Sequence, residues 1–324
     1  MPIKIDNMKK LAVIALGGNA ILRSDQRGTI QEQDNNVMKS LENIVYMIKD
    51  GYNIILSHGN GPQVGNIVMR NEAGEQLYNI AQMPLDICVA DSQGGIGYMI
   101  ERNLRNLLKK HGLKRDVVTL VTQVIVDKND PAIKNPSKRI GQSYSKEKTA
   151  ELEASKGWIF KESSKKKGFY RRVVASPKPI EIFNRTSLAR LAKKGVIVIT
   201  LGGGGIPVYK DENKMLHPVE GVIDKDIASS LLAQRIKADE FYILTDVPYV
   251  YLNFGKEDQK HAEFLNEEDT IKYLESGEFG EGSMKPKIKA ALEFVQNGGE
   301  KSIITESDKL EDRSFGTKIT MNYD

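Results

Sequence analysis

The sequence predicts an α/β fold around a largely parallel sheet, and three observations carry that reading. Apolar runs without alternation, beginning with Leu11–Leu16 (LAVIAL), suit strands covered on both faces of a parallel sheet. Stretches whose apolar residues recur at helical spacing separate these runs. Three runs end in glycine-rich turns, at Gly17–Asn19, Gly59–Gly61 and Gly202–Gly205. Such turns at strand carboxyl ends let backbone amides approach an anion closely.

The first turn leads to a helix over Gln31–Asp50, with Val37, Leu41, Ile44, Val45 and Ile48 on one face and Gly51 as its stop. Asn53–Ser57 is a short strand running into HGNGPQVG, where Pro62 suits the first position of a following helix. This second turn misses the dinucleotide-binding fingerprint by one residue, because Val64 stands where glycine or alanine is required. His58 beside it has no second histidine nearby and is read as structural. Across Pro84–His111 the small-residue patch SQGGIGY, suited to close packing on another backbone, precedes a helix carrying Ile100, Leu104, Leu107 and Leu108. Val117–Val126 reads as one strand leading into VDKNDP, so that Lys128 follows a strand end near the row of turns.

Composition shifts from about Asp127 to Lys178 toward Lys, Arg, Ser, Pro and Gly, with a short helix near Lys146–Ala154, and the segment reads as an insertion too poor in apolar residues to anchor itself firmly. Its basic cluster, Lys165, Lys166, Lys167, Arg171 and Arg172, is either a solvated face or part of a lid over an anionic ligand. Ile180–Lys194 reads as a helix and Val196–Leu201 as the strand before the third turn. VIDKDIASS opens a helix with Asp224, Lys225 and Asp226 in its first turn; acids there compensate the helix dipole, and the lysine between them is less ordinary. Strand Phe241–Thr245, helix Glu267–Leu274, helix Pro286–Gln296 opened by GSMKPKI, strand Lys301–Thr305 and a last strand in Gly316–Thr320 complete the chain.

The 324 residues suffice for a large core, and a net charge of +4 gives no sign of a dedicated nucleic-acid surface. The single cysteine, Cys88, excludes an intrachain disulfide and a multi-cysteine zinc site. No apolar stretch reaches the length of a membrane span and MPIKIDNMKK lacks the apolar core of a secretory signal, so a cytoplasmic protein without membrane partner is expected. None of the turns carries the lysine of a P-loop, so any phosphate chemistry is arranged differently.

ALGGNA, HGNGPQVG, SQGGIGY, TQVIVDKNDP, RRVVASP, GGGGIPV, VIDKDIAS and GSMKPKI occur in an order and spacing that resembles the carbamate kinases of the amino acid kinase superfamily almost end to end. The resemblance implies a three-layer αβα sandwich with a protruding subdomain. It implies an N-terminal lobe (1–205) for carbamate and the phosphoryl group, containing the subdomain as a lid (127–178), and a C-terminal nucleotide lobe (206–324). The implied reaction is reversible: ATP and carbamate give ADP and carbamoyl phosphate. Mg²⁺ accompanies the nucleotide with no metal ligand from the protein, and the enzyme is a homodimer of arginine metabolism, with either direction of the reaction open, ATP synthesis included. Carried over by position, Lys128, Lys225 and Lys287 neutralise charge and Asp226 orients the lysines. Gly17, Gly18, Asn19, Gly59, Asn60, Gly61, Gly202, Gly203 and Gly204 cradle phosphoryl and carbamoyl oxygens; Thr245, Asp246, Val247 and Met284 border the nucleotide. The rivals are a related kinase acting on acetylglutamate, aspartate or uridylate, and a noncatalytic nucleotide sensor on the same fold.

Overall fold

The computed structural model describes residues 10–23, 25–163, 167–280, 284–312 and 314–323. Lys165 and Lys166 of the basic cluster, and Gly282 and Ser283 of GSMKPKI, lie outside the described residues. In chain order, β1 (Leu11–Leu16) precedes α1 (Ile30–Lys49), and β2 (Asn53–His58) precedes α2 (Gly61–Tyr78) and α3 (Leu85–Lys110). Then come β3 (Val117–Thr119), β4 (Gln123–Val126), α4 (Pro131–Lys134), β5 (Lys138–Tyr144), α5 (Lys146–Lys156), β6 (Ile159–Glu162) and β7 (Tyr170–Val174). They are followed by β8 (Pro179–Ile182), α6 (Arg185–Lys193), β9 (Ile197–Ile199), β10 (Ile206–Lys210), β11 (Leu216–Pro218) and α7 (Lys225–Ile236). The chain closes with β12 (Glu240–Thr245), β13 (Val250–Leu252), β14 (Lys260–Ala262), β15 (Phe264–Leu265), α8 (Glu267–Glu275), α9 (Met284–Gln296), β16 (Lys301–Glu306) and β17 (Thr317–Ile319).

Among the described residues the central sheet has eight strands in the order β15-β17-β16-β12-β1-β2-β9-β3, and only the β16–β17 pairing is antiparallel. β1 lies between parallel partners, Val13 opposite Ile55 of β2 on one side and Phe241 of β12 on the other. Its alternate residues feed two separate cores, which is why its sequence is apolar without a break. Leu11, Val13 and Ala15 pack with Leu232 of α7 and Ile288 and Phe294 of α9. Ala12, Ile14 and Leu16 pack with Leu41 and Ile44 of α1 and Ile100 and Leu104 of α3. Helices thus cover both faces of the sheet, giving the three expected layers. No described helix is long and apolar enough to cross a membrane.

Several elements differ from the sequence reading. Val117–Val126 is two strands, and β4 joins a second sheet, β11-β10-β4-β8. The break is held from α3, where Gln93 Oε1 accepts from the Thr122 amide at 2.8 Å and its Nε2 donates to the Thr122 carbonyl at 3.3 Å. SQGGIGY lies inside α3 rather than before it, because Gly97 lets Thr119 approach: a Cβ there would meet Thr119 Cγ2 at 2.3 Å. Pro179–Ile182 is a strand antiparallel to β4, and the helix starts only at Arg185. The lysine-rich loop after β12 contains the β13–β14 hairpin.

The insertion is a three-stranded antiparallel sheet, β5-β7-β6, with α5 beside it. It is docked on α2. Ile140 and Val174 join Val64, Val68, Cys88 and Val89 in a small apolar cluster, and the Tyr144 hydroxyl donates to buried Glu72 at 2.8 Å. The expectation of a poorly anchored segment is therefore corrected: part of the anchoring is a buried polar pair, which apolar composition does not reveal.

Candidate active site

The carboxyl ends of β1, β2 and β12 meet where the chain order reverses across the sheet, the position at which open α/β sheets bind ligands. A cleft of about 400 Å³ lies there. Gly17, Gly18, Asn19, Gly59, Asn60, Gly61 and Gly203 line it from the three turns; Lys225, Asp226, Thr245, Asp246 and Lys287 complete the part expected from sequence. Gly17 is required by close approach, since a Cβ there would sit 2.4 Å from the Leu244 carbonyl oxygen of neighbouring β12. Gly203, at φ +65°, lies against Asn60, where a Cβ would come within 2.2 Å of the amide nitrogen. Asn60 Nδ2 in turn donates to Ser92 Oγ at 2.8 Å, which fixes the second turn against the third.

The N-termini of α2, α7 and α9 all contribute first-turn or capping residues to the cleft, so positive dipole ends converge on it. Asp224 caps α7 by accepting from the amides of Asp226 and Ile227, which aims Lys225 and Asp226 into the opening. Asp226 is buried between two ammonium groups, with Lys287 Nζ donating to Oδ2 at 2.7 Å. Lys225 Nζ lies 2.7 Å from Oδ1, an ion pair without hydrogen-bond alignment. Burial opposes ionisation of this carboxyl, yet the charges of Lys225 and then Lys287 outweigh it and hold the group well below the usual carboxylate range. Burial pushes the Lys225 ammonium below its ordinary value; Asp226 opposes that shift and Lys287 adds to it. The trio carries a net positive charge at the cleft floor.

His58 is fully enclosed and donates from Nδ1 to the Gly59 carbonyl at 2.9 Å. Burial pushes its pKa down to about 4, so the imidazole is neutral and serves the turn.

Some expected residues lie elsewhere. Lys128 is exposed and does not line the cleft, because the strand before it belongs to the second sheet. Gly202 packs on His58 and Gln93, and Gly204 on Ile223, both behind the lining. Val247 and Met284 are partly buried beyond the lining residues. Lys138, missed in the sequence, does line the cleft and pairs with Asp224 Oδ2 at 3.4 Å. It opens β5, so the insertion itself delivers a cation here. A lysine seven residues after the VDKNDP motif's proline was the available signal. Of the basic cluster, Arg172 is buried and ion-paired with Glu220, so its charge is not offered to solvent.

A larger depression of about 550 Å³, lined by Arg105, Lys109, Lys114 and Arg115, lies at the amino edge of the sheet. No glycine-rich turn at the carboxyl end of a strand lines it, and Arg115 is committed to the Gly195 and Tyr52 carbonyls. Among the described residues no cluster of three or more His, Cys, Asp or Glu could hold a metal ion.

Comparison with known proteins gives a consistent result. The family described as the amino acid kinase family matches residues 10–306. A carbamate kinase of Pyrococcus furiosus is 45% identical over 93% of this chain and 95% of its own length. Carbamate kinase 1 of Enterococcus faecium is 44% identical over 97% of this chain and 100% of its own. The solved structure of a Giardia lamblia carbamate kinase bound to AMP-PNP has a TM-score of 0.90 at 38% identity, covering 96% of this chain and 98% of that one. An N-acetylglutamate synthase of Neisseria gonorrhoeae, 11% identical with a TM-score of 0.54, shares the fold alone.

Proposed function

This chain belongs to the amino acid kinase family, and from that premise we propose that it is a carbamate kinase, catalysing ATP + carbamate = ADP + carbamoyl phosphate in both directions. The observation that carries the reading is the Lys225–Asp226–Lys287 trio at the floor of a cleft walled by glycine-turn backbone and helix N-termini. Carbamate is already an anion with a nucleophilic oxygen. Its oxygen forms the new bond to the γ-phosphorus as the bond to the ADP oxygen breaks, and no side chain has to remove a proton. Phosphoryl transfer of this kind needs positioning and charge neutralisation. Lys225 and Lys287 meet the charge on the transferring oxygens, and Asp226 holds the two ammonium groups apart and in place. Lys138 adds a cation from the insertion, and Lys128, exposed at the start of that insertion, remains the third lysine to which the resemblance gives a part in charge neutralisation. Amides around Gly17–Asn19 and Gly59–Gly61 receive the small acceptor. Thr245 and Asp246 lie on the nucleotide side, with Val247 and Met284 further along it.

The donor chemistry fits a magnesium ion that arrives on the nucleotide. Asp246, held by Asn19 Nδ2 at 3.0 Å, is an exposed carboxylate at the cleft, and the other two carboxylates there face lysines. The ion would supply further neutralisation of phosphate charge. We also read the enzyme as a cytoplasmic homodimer. Exposed Ile30, Leu77, Tyr78, Ile87 and Tyr98 on α1, α2 and α3 supply apolar surface for a second copy. A coupled assay run both ways tests the function: ATP should form from ADP and carbamoyl phosphate, and ADP from ATP and carbamate. Acetylglutamate, aspartate and uridylate should release negligible ADP, and robust turnover with any of them would overturn the assignment.

A further inference from the structure

Resting on that reading, we infer that Arg172 is a positioning residue, which through Glu220 fixes the segment carrying Asp224 and so sets where Lys138 stands over the cleft. Arg172 does not line the cleft. It sits on β7 where three parts of the molecule meet. Its guanidinium is buried, stacks on the Trp158 ring at 3.9 Å and is ion-paired with Glu220. The charge of buried Glu72 on α2, which is already held by Tyr144, also acts on it. Trp158 and Tyr144 belong to the insertion and Glu72 to the main body, whereas Glu220 precedes the run Val222–Asp226, all five residues of which line the cleft.

The backbone repeats the connection. Ala175, three residues after Arg172, bridges to Gly221, and its carbonyl accepts from the Val222 amide at 2.9 Å. A Cβ on Gly221 would lie 3.0 Å from that carbonyl oxygen, so the two segments touch with no side chain between them. Lys138 is paired with Val174 in the β5–β7 register, and its ammonium reaches Asp224. Arg172–Glu220 and Lys138–Asp224 are therefore two ties between the same strand pair and the same loop, on either side of a backbone bridge. The second tie faces the cleft. The first is remote from it, and a planar guanidinium stacked on an indole while one of its nitrogens meets a carboxylate has an orientation that an ammonium would not reproduce. An orientation error passed along this loop would displace the Asp224 oxygen that Lys138 pairs with, and Lys138 with it.

The test is a double-mutant cycle on the whole enzyme, with ADP and carbamoyl phosphate as substrates. Glu220 is exposed enough (62%) for Glu220→Gln to leave folding intact, and its melting temperature should match the native one. We expect Glu220→Gln to lower kcat about tenfold and Arg172→Met about a hundredfold, the scale for a misplaced reacting group, with KM for ADP unchanged. Arg172→Lys should not restore the rate. In a Lys138→Met background, Glu220→Gln should cost less than about twofold more, because the residue through which the tie acts is already gone. If the two effects multiply in full, or if Glu220→Gln keeps native kcat, the inference is overturned while the kinase reading stands. A native enzyme that makes no ATP from carbamoyl phosphate would overturn the reading and the inference together.

Discussion

Asp226→Asn tests the charge balance of the cleft floor most directly. The substitution keeps the side-chain size and the α7 cap at Asp224, and removes only the negative charge between two ammonium groups. At 2.7 Å, one ion pair at an effective dielectric constant of about 20 corresponds to about 6 kcal/mol of attraction. At roughly 1.4 kcal/mol per decade that is about four decades in the acidity of Lys225, and water entering the altered site offsets about half of it. Lys225 is already pushed down by burial and by Lys287, and losing Asp226 removes the charge that opposes that shift. The alkaline limb of the kcat profile should therefore move to lower pH by about two units. Near pH 8 the loss of one charge stabiliser should lower turnover by roughly a hundred- to a thousandfold, with partial recovery on acidification. Turnover within tenfold of native near pH 8, or an unmoved alkaline limb, would refute the reasoning.

Lys287→Met is expected to lower kcat by at least about two orders of magnitude. It should destabilise the fold only modestly in urea titration, because Lys225 still neutralises Asp226. Since Lys287 contributes to the depression of Lys225, its alkaline limb should move upward, opposite to that of Asp226→Asn. Stability measured against pH should reveal His58, whose folded pKa of about 4 lies below its ordinary 6.5. The unfolded chain binds the extra proton between those values, so stability is level above about pH 6.5 and falls by up to about 1.4 kcal/mol per pH unit as acid is added toward pH 4. His58→Gln should flatten that window while leaving the loss below about pH 4, where the unfolded chain's Asp226 takes up a proton that the folded carboxylate resists; an unchanged slope would count against a buried neutral imidazole.

What the sequence revealed of the molecule depended on how each residue is buried. β1, β2 and β12 announce themselves because both faces of each are covered, so that the central residues of each run are apolar without alternation. Val117–Val126 misleads for the same reason, since its apolar character continues past a break dictated by Gln93, distant in the chain. The strands of the insertion are short and polar on one side, and Tyr144–Glu72 and Arg172–Glu220 bind it where composition alone suggests looseness. At the cleft, Lys225 stood out as a lysine between two acids at a helix start, whereas Asp226 and Lys287 were placed there by the resemblance of their motifs. Lys138 was not legible: its reach follows from the register of β5 on β7, and register is a property of the folded sheet.

The ladder between β1 and β12 has a consequence for how the protein holds together. Names such as acceptor lobe and nucleotide lobe describe what each half of the chain would bind, yet the halves are sewn edge to edge through Ala12–Ala15 and Glu240–Ile243 in the middle of one sheet. Pulling them apart would bare two long apolar strand edges in the interior. A chain severed between residues 205 and 206 is thus better viewed as two fragments that must find each other, and the cleft opens over strands supplied by both of them within one sheet.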